Sequence, residues 1–411
     1  MTARADVLLI ANNFPPVRGG SAVVYQNLAN QSGGRLMVLA PRISYTDGLP
    51  LIGWREHDRR ATYRVVRLPL LRTVISEPHG RRGRLLFLMK DMAIRANLAF
   101  ALVRLLIRER PRAICIGELM ASSWIVRVLA CVPHVRTVIY VHGEEITTED
   151  PYDLHYARRR RALLAGDGIV VVSRFTQSAV ETLLPEQARG RIALIENGVD
   201  TDRFRAMDKS PWLTALYGLD GYFVFVSVCR LLEKKGIDQA LRAFAGLLPR
   251  HPMSRFLVVG TGPYGDRLRA IAAELGITGA VIFTGEIPEN DLVEHYCLGD
   301  VFVMPNRELP NGDTEGFGLV FLEANACGLP VIAGRDGGSR DAVRHGENGL
   351  VVNGHCVGEI LAAMLLLRED DAERAKLRRG GLIAAARADW KNKAQTFLQF
   401  CLSGRPSGHP G

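Results

Sequence analysis

The chain has 411 residues, 47% hydrophobic and 23% charged, with a net charge of +9. This composition is ordinary for a globular protein and excludes a disordered or fibrous chain, and at ~100–200 residues per domain the length gives two domains, each able to bury a core. The apolar run near the N-terminus, about five residues from Val7, is too short for a signal peptide, and the apolar-rich stretch 85–107 is broken by Lys90, Asp91, Arg95 and Arg104, so neither a leader nor a membrane span is expected.

Seven scattered cysteines (Cys115, Cys131, Cys229, Cys297, Cys327, Cys356 and Cys401), none in a C-x-x-C pair, point to reduced thiols and a cytoplasmic protein. The charge is uneven: residues 1–200 carry about +10 and the remainder about −1. That asymmetry suggests an anionic partner for the first half. The basic residues are not interleaved with aromatics and no nucleic-acid motif occurs, so an anionic membrane surface is expected over nucleic acid.

In chain order, the first strand is expected at 7–11. It runs into Asn12-Asn-Phe-Pro-Pro-Val-Arg-Gly-Gly20, a turn whose paired Gly19 and Gly20 let the backbone approach a phosphate or a sugar. The turn is not G-x-G-x-x-G, so a nicotinamide or flavin site loses its main support. A helix follows at 21–29, then strands at 36–40 and 64–68. The stretch 85–108 reads as a long cationic, apolar-rich helix. It is either a core helix with its arginines on a wet face or one lying in an anionic interface. The basic runs Arg81-Arg82-Gly-Arg84 and 158–161 read as solvated faces. Strands are expected at 113–116, 138–142, 169–173 and 192–195. His142, in Tyr140-Val-His-Gly-Glu-Glu145, closes one of these and so points into a cleft at the strand ends.

The alternation pauses at 196–211 and restarts with strands at 223–228, 256–259, 281–284, 301–304 and 331–333, and helices at 238–248, 264–275 and 318–327. Short Val/Ile runs are the signature of strands buried on both faces of a parallel sheet, and strand–helix alternation implies doubly wound α/β domains. Directly after the 223–228 strand comes Ser227-Val-Cys-Arg-Leu-Leu-Glu-Lys-Lys-Gly236. Its Arg230 and Lys235 suit the charge that grows on a departing diphosphate, a task fixed cations perform well. They could replace a metal ion, since no residues show metal-ligand spacing.

The strongest motif is Glu315-Gly-Phe-Gly-Leu-Val-Phe-Leu-Glu-Ala-Asn-Ala-Cys-Gly328. A helix starting near Gly318 offers unpaired N–H groups and a positive dipole end, a seat for a diphosphate. The seat is built from Gly316, Phe317, Gly318 and Leu319, with Glu315 on one side and Glu323 on the other to accept from the hydroxyls of a sugar and a ribose. Singly, each glutamate could be no more than a helix-dipole partner or a solvated side chain. Their conjunction with Arg230 and Lys235 is what makes a site.

These residues resemble retaining glycosyltransferases of family 4, with the GT-B fold, along nearly the whole chain. The resemblance lies in Gly19-Gly20, His142-Gly143, Val171-Val-Ser173-Arg174, Asn197-Gly-Val-Asp200, Arg230 with Lys235-Gly236, and 315–323, together with Trp390 at the start of the last helix. Within the family it resembles in particular the lipid-directed mannosyltransferases of the phosphatidylinositol mannoside type. The resemblance implies two Rossmann-like domains facing across a cleft: 1–200 for the acceptor, 201–386 for the nucleotide-sugar donor, a helix at 387–402 returning to the first domain, and a flexible tail at 403–411. It implies that Arg230 and Lys235 bind the donor phosphates, Glu323 the ribose and Glu315 the sugar, with His142 near that sugar.

The implied reaction is retaining transfer of a mannose- or glucose-type hexose from a nucleoside diphosphate sugar to a glycan or lipid-linked acceptor hydroxyl, without a metal or other cofactor, by a protein peripheral to the inner membrane face. A nucleotide-sugar epimerase of the same fold and a non-catalytic sugar-nucleotide sensor are the alternatives. Two departures from the family pattern bear on sugar or base preference: Cys229 stands where glycine is usual, and Gly337-Gly-Ser-Arg-Asp341 where the paired glycines usually lead to Pro-Glu.

Overall fold

The computed structural model describes residues 4–403 apart from 18, 76–79, 130, 131, 133 and 150–152; the expected tail beyond Ser403 and Cys131 lie outside the described residues. Thirteen strands fall into two sheets. The first contains β1 (Val7–Ile10), β2 (Leu36–Pro41), β3 (Arg64–Leu68), β4 (Ala113–Ile116), β5 (Arg136–Val141), β6 (Gly168–Val171) and β7 (Ile192–Leu194), in the order β3-β2-β1-β4-β5-β6-β7. The second contains β8 (Phe223–Val228), β9 (Ser254–Val259), β10 (Val281–Gly285), β11 (Val301–Met304), β12 (Val331–Gly334) and β13 (Gly349–Val352), in the order β10-β9-β8-β11-β12-β13.

Neighbouring strands within the sheets pair in parallel. The residues of β1, β4, β6, β11 and β12 are buried throughout, as their short, wholly uncharged, Val/Ile-rich runs require of strands covered on both faces. The two doubly wound domains expected from the sequence are therefore present.

Each sheet reverses its winding once. β1 lies between β2 and β4, and β8 lies between β9 and β11. At such a switch point the loops after the two central strands run in opposite directions and leave a crevice, where ligands of open α/β sheets bind. The Asn12–Gly20 turn follows β1, and the Cys229–Gly236 segment follows β8.

The last helix, Trp390–Ser403, packs on the first sheet, touching β1, β4, β5, β6 and the helix Gly20–Asn30. Phe397 and Phe400 are buried there, each contributing roughly 1.5–3 kcal/mol. Where the chain crosses between domains the two passes run side by side: Val199 N donates to Ala388 O at 2.9 Å. A Cβ on Gly198 would lie 3.0 Å from the Trp390 ring, so only a glycine lets that ring close over the crossing.

Three details differ from expectation. β13 was not foreseen in the sequence. The helix expected at 85–108 spans Gly80–Glu109 and is a core helix only near its end, where Leu98, Leu102 and Leu105 are buried; Leu85, Leu86, Leu88, Met89 and Met92 are exposed. In the 158–161 run, Arg159 is not on a solvated face: it is 3% exposed, 3.6 Å from Asp153 and stacked 4.7 Å over Tyr156.

Candidate active site

The two switch-point crevices face each other, and the domains touch on glycine backbone. A Cβ on Gly316 would lie 2.0 Å from the His142 carbonyl oxygen, and one on Gly143 would lie 3.1 Å from Gly316 Cα. Nearby, Gly20 meets Leu319: a Cβ there would be 3.9 Å from the leucine Cδ1. Thus Gly20, His142, Gly316 and Leu319, distant in sequence, come together, while Gly19 is exposed with open space around it.

The helix Leu319–Ala326 starts at Gly318, whose φ of 88° is left-handed backbone that favours glycine, and no side chain caps it. Its first N–H groups are therefore aimed outward with the positive end of the dipole. Phe317, 4% exposed, anchors the loop in the core.

Lys235 reaches this loop from the end of a short 3-10 turn after β8, and its ammonium donates to the Glu315 carboxylate. Burial pulls the Lys235 pKa down, but the Glu315 carboxylate more than offsets that and leaves it raised. Burial pushes Glu315 up, and the Lys235 charge and hydrogen bond bring it below the ordinary carboxylate value. The pair is ionised at neutral pH. Arg230 is exposed, with no ion-pair partner among the described residues. Lys234, which the sequence reading left aside, is 6% exposed, donates to Asp313 at 2.6 Å and lies 3.6 Å from Glu144 of the other domain.

Glu323, further along the same helix, accepts from the Tyr296 hydroxyl at 2.7 Å. Burial raises its pKa, partly opposed by that hydrogen bond and by Arg203. The bond fixes one carboxylate oxygen and leaves the other as an acceptor of fixed direction.

Around His142 the sequence reading missed the two residues that hold it. Glu145 turns back so that its carboxylate accepts from His142 N at 2.8 Å and from Gly143 N at 3.1 Å. Tyr25, on the helix Gly20–Asn30, lies 2.7 Å from His142 Nε2. The only sequence signal for Glu145 was its place in the quoted motif; Tyr25 had none, since its partner is 117 residues away.

Cys229 is buried beside the Lys235–Glu315 pair, where burial pushes its thiol up to about 12 despite the nearby lysine. Asp341 is engaged across the domains: its Oδ2 accepts from Arg174 N at 2.8 Å, at the start of the helix Arg174–Leu183. Among the described residues no three His, Cys, Asp or Glu side chains gather as metal ligands, and no helix is long and apolar enough to cross a membrane.

Residues 19–203 match the model of Glycosyltransferase Family 4, and residues 217–382 that of Glycosyl transferases group 1. The GDP-mannose-dependent alpha-(1-6)-phosphatidylinositol monomannoside mannosyltransferase of Mycolicibacterium smegmatis is 32% identical over 97% of this chain and 98% of its own. The protein of the same description from Mycobacterium tuberculosis is 34% identical over 89% and 90%. Among solved structures, sucrose-phosphate synthase of Thermosynechococcus elongatus superimposes with a TM-score of 0.76, at 20% identity, over 97% of this chain and 98% of its own. HepE of Anabaena, in complex with UDP and glucose, does so with a TM-score of 0.74, at 20% identity, over 97% and 100%. With a family-4 domain followed by a group-1 domain on a GT-B fold, and relatives alike from end to end, this chain belongs to the family-4 glycosyltransferases.

Proposed function

We propose that the protein transfers mannose from GDP-mannose, with retention of anomeric configuration, to a hydroxyl of a mannosylated phosphatidylinositol. The observation that carries the reading is the uncapped start of the helix Leu319–Ala326, flanked by the Lys235–Glu315 pair and followed by the Tyr296-held Glu323. A nucleoside diphosphate sugar has the matching sequence of groups: sugar hydroxyls, two phosphates and a ribose diol. The donor identity and acceptor class follow the full-length relatives, whose names give both.

In this reading the diphosphate lies on the N–H groups of Leu319 and Val320, with Gly316 and Gly318 giving it room beside Phe317. Arg230 and Lys235 hold its charge as the glycosidic bond breaks, so these cations do the work a metal would otherwise do. Glu323 accepts from the ribose and Glu315 from the sugar. His142 and Gly20 line the sugar's far side, with Gly19 toward the acceptor. The departing phosphate oxygen takes the acceptor's proton on the face it leaves, which retains the anomeric configuration without a carboxylate nucleophile.

The acceptor approaches from the first domain. There the exposed Leu85, Leu86, Leu88, Met89 and Met92, next to Arg81, Arg82 and Arg84, suit an anionic lipid surface.

Titration calorimetry with GDP, UDP and ADP tests the donor site, and mass spectrometry of a GDP-mannose reaction with phosphatidylinositol monomannoside tests the transfer. GDP binding abolished in Arg230→Ala and a product one hexose heavier are expected. An altered sugar nucleotide of unchanged mass, formed without acceptor, would show an epimerase instead.

A further inference from the structure

The ring of Tyr25 is fully buried in the first domain. Its hydroxyl lies 2.5 Å from the carbonyl oxygen of Gly117, just past the end of β4, and 2.7 Å from His142 Nε2, just past the end of β5. A phenol has one hydrogen, and a carbonyl can only accept. The Tyr25 hydrogen is therefore committed to Gly117. The contact with His142 is then a hydrogen bond only if Nε2 carries the hydrogen and the phenol oxygen accepts it. With Nε2 bare, two lone pairs would face each other in a buried site.

The arrangement has little freedom. A Cβ on Gly117 would fall 2.7 Å from the Tyr25 hydroxyl, so glycine is what lets the carbonyl and the phenol meet. Tyr140 stacks on the imidazole with ring centroids 5.0 Å apart, and Tyr25 meets it edge-on at 5.1 Å. Tyr140 in turn packs on Phe397 of the returning helix at 5.8 Å. Glu145 holds the backbone on which the ring stands. Burial keeps the phenol protonated and pulls the imidazole down to about 3, so both groups are neutral at physiological pH.

We propose that Tyr25 is a positioning residue of the donor-sugar site, locking His142 as the Nε2–H tautomer so that Nδ1 is a bare acceptor for a hydroxyl of the sugar. No group among the described residues bonds Nδ1, and His142 is only half-buried, at the seam where its carbonyl meets Gly316. The lock makes the imidazole a fixed acceptor and not a proton donor: it selects a sugar with a hydroxyl at that place and takes no part in moving the acceptor's proton. The sugar contact rests on the donor-site reading above; the tautomer lock does not.

The test uses full-length protein labelled with ¹⁵N-histidine, with His142→Gln to assign the signal, and long-range ¹H–¹⁵N correlation at neutral pH. Wild type is expected to show Nε2 protonated and Nδ1 bare. In Tyr25→Phe that pattern should give way to a mixture of tautomers, and kcat/KM for GDP-mannose should fall about tenfold, the worth of one hydrogen bond. In the His142→Gln background the same substitution should change kcat/KM less than about twofold, because nothing is left to lock. A bare Nε2 in wild type, or an equal loss in both backgrounds, overturns the proposal. If Tyr25→Phe does not fold, the wild-type tautomer decides the lock by itself. A wild type with the expected tautomer that turns over neither GDP-mannose nor UDP-glucose would overturn the donor reading and the sugar contact but leave the lock standing.

Discussion

The ammonium of Lys235 and the carboxylate of Glu315 form an ion pair that ties the segment after β8 to the loop before the helix Leu319–Ala326. Both side chains are largely buried, at 14% and 15% exposure. Removing one partner leaves a buried charge unpaired, at a cost of about 3–5 kcal/mol, whereas removing both leaves none. Lys235→Met and Glu315→Gln should therefore each destabilise the second domain, and the double variant should be more stable than either in urea unfolding. All three should lose turnover by orders of magnitude, since the proposed mechanism sets Lys235 against the departing phosphate and Glu315 against the sugar. A double variant that simply sums the single losses would count against the pairing. The pH window follows from the shifts. The Glu315 contribution is present above its unfolded value and is lost as pH falls through its lowered folded value. The Lys235 contribution is present below its unfolded value and is lost as pH rises through its raised one. The variants should differ most from wild type across the whole neutral range.

How far the sequence carried the reading depends on how local each signal is. β8 was legible residue by residue, because a strand buried on both faces must be written in Val and Phe wherever it stands. β13 was not: Gly349–Val352 is four residues at a sheet edge, entered from Asn348, and nothing local separates it from a loop. In the site, the two glutamates of 315–323 and the Arg230/Lys235 pair were legible because each lies within a few residues of a strand or helix end. Lys234 and Lys235 are indistinguishable in sequence, yet one is held by Asp313 and the other by Glu315. That sorting, like the Tyr25–His142 and Tyr296–Glu323 contacts, is decided by tertiary packing. Asp341 shows the reverse case. Its motif suggested a donor contact, and the structure engages its carboxylate with a backbone N–H of the other domain.

Cys229 offers a chemical check on the closeness of that packing. A thiol held up to about 12 and buried is almost entirely uncharged at pH 8, and only the thiolate alkylates readily. Native protein treated with iodoacetamide at pH 8 should be labelled at the half-buried Cys356 well before Cys229, and at both in urea. Peptide mapping that finds Cys229 modified in the native state would mean the loop after β8 opens far more than the geometry allows.

Glu118, just after β4, is half-buried, its side chain 19% exposed, and its pKa is raised to about 7, with desolvation the main cause; Arg72 and a hydrogen bond from Asn12 at 3.0 Å pull only partly the other way. A carboxyl raised on folding binds protons the unfolded chain has already released. Its contribution to stability therefore declines as pH rises from its ordinary value of 4.5 through about 7 and then levels off. Glu118→Gln cannot titrate. The stability difference, variant minus wild type, should grow by about 3 kcal/mol at most between pH 4.5 and 8. Denaturant midpoints measured across that range check it, and a flat difference would mean that Glu118 is charged and well solvated in the folded protein.

The exposed start of the helix Gly80–Glu109 makes the membrane reading measurable. Leu85, Met89 and Met92 are 59%, 59% and 69% exposed and lie on one helical face. Replacing the three with Gln should weaken cosedimentation with phosphatidylglycerol vesicles at least about tenfold, with helix content unchanged. Replacing Arg81, Arg82 and Arg84 with Gln should weaken it further and flatten its salt dependence, at roughly 1 kcal/mol per charge. Equal binding of wild type and both variants would place the lipid contact elsewhere.

Among the described glycines Gly316 makes the tightest approach to the other domain and offers the most discriminating substitution. A Cβ there would sit 2.0 Å from the carbonyl oxygen of His142, which is backbone and cannot swing aside as a side chain would. The loop 315–318 is also held from behind, because Gly338 N donates to Glu315 O at 2.8 Å. Gly316→Ala can be accommodated only by moving the two domains apart or by shifting the loop that would present the proposed phosphate seat. Either displacement carries His142 away from the proposed sugar position and should reduce turnover by about 10²-fold, the scale of a misplacement of roughly 1 Å. Binding of GDP alone, which the proposed donor site places in the second domain, should survive if the domains separate and fall if the loop shifts. Calorimetry with GDP beside a turnover assay thus separates the two. Full activity in Gly316→Ala would show that the working enzyme holds its domains further apart than this contact, with His142 and Gly316 meeting only in a closed form that catalysis does not need.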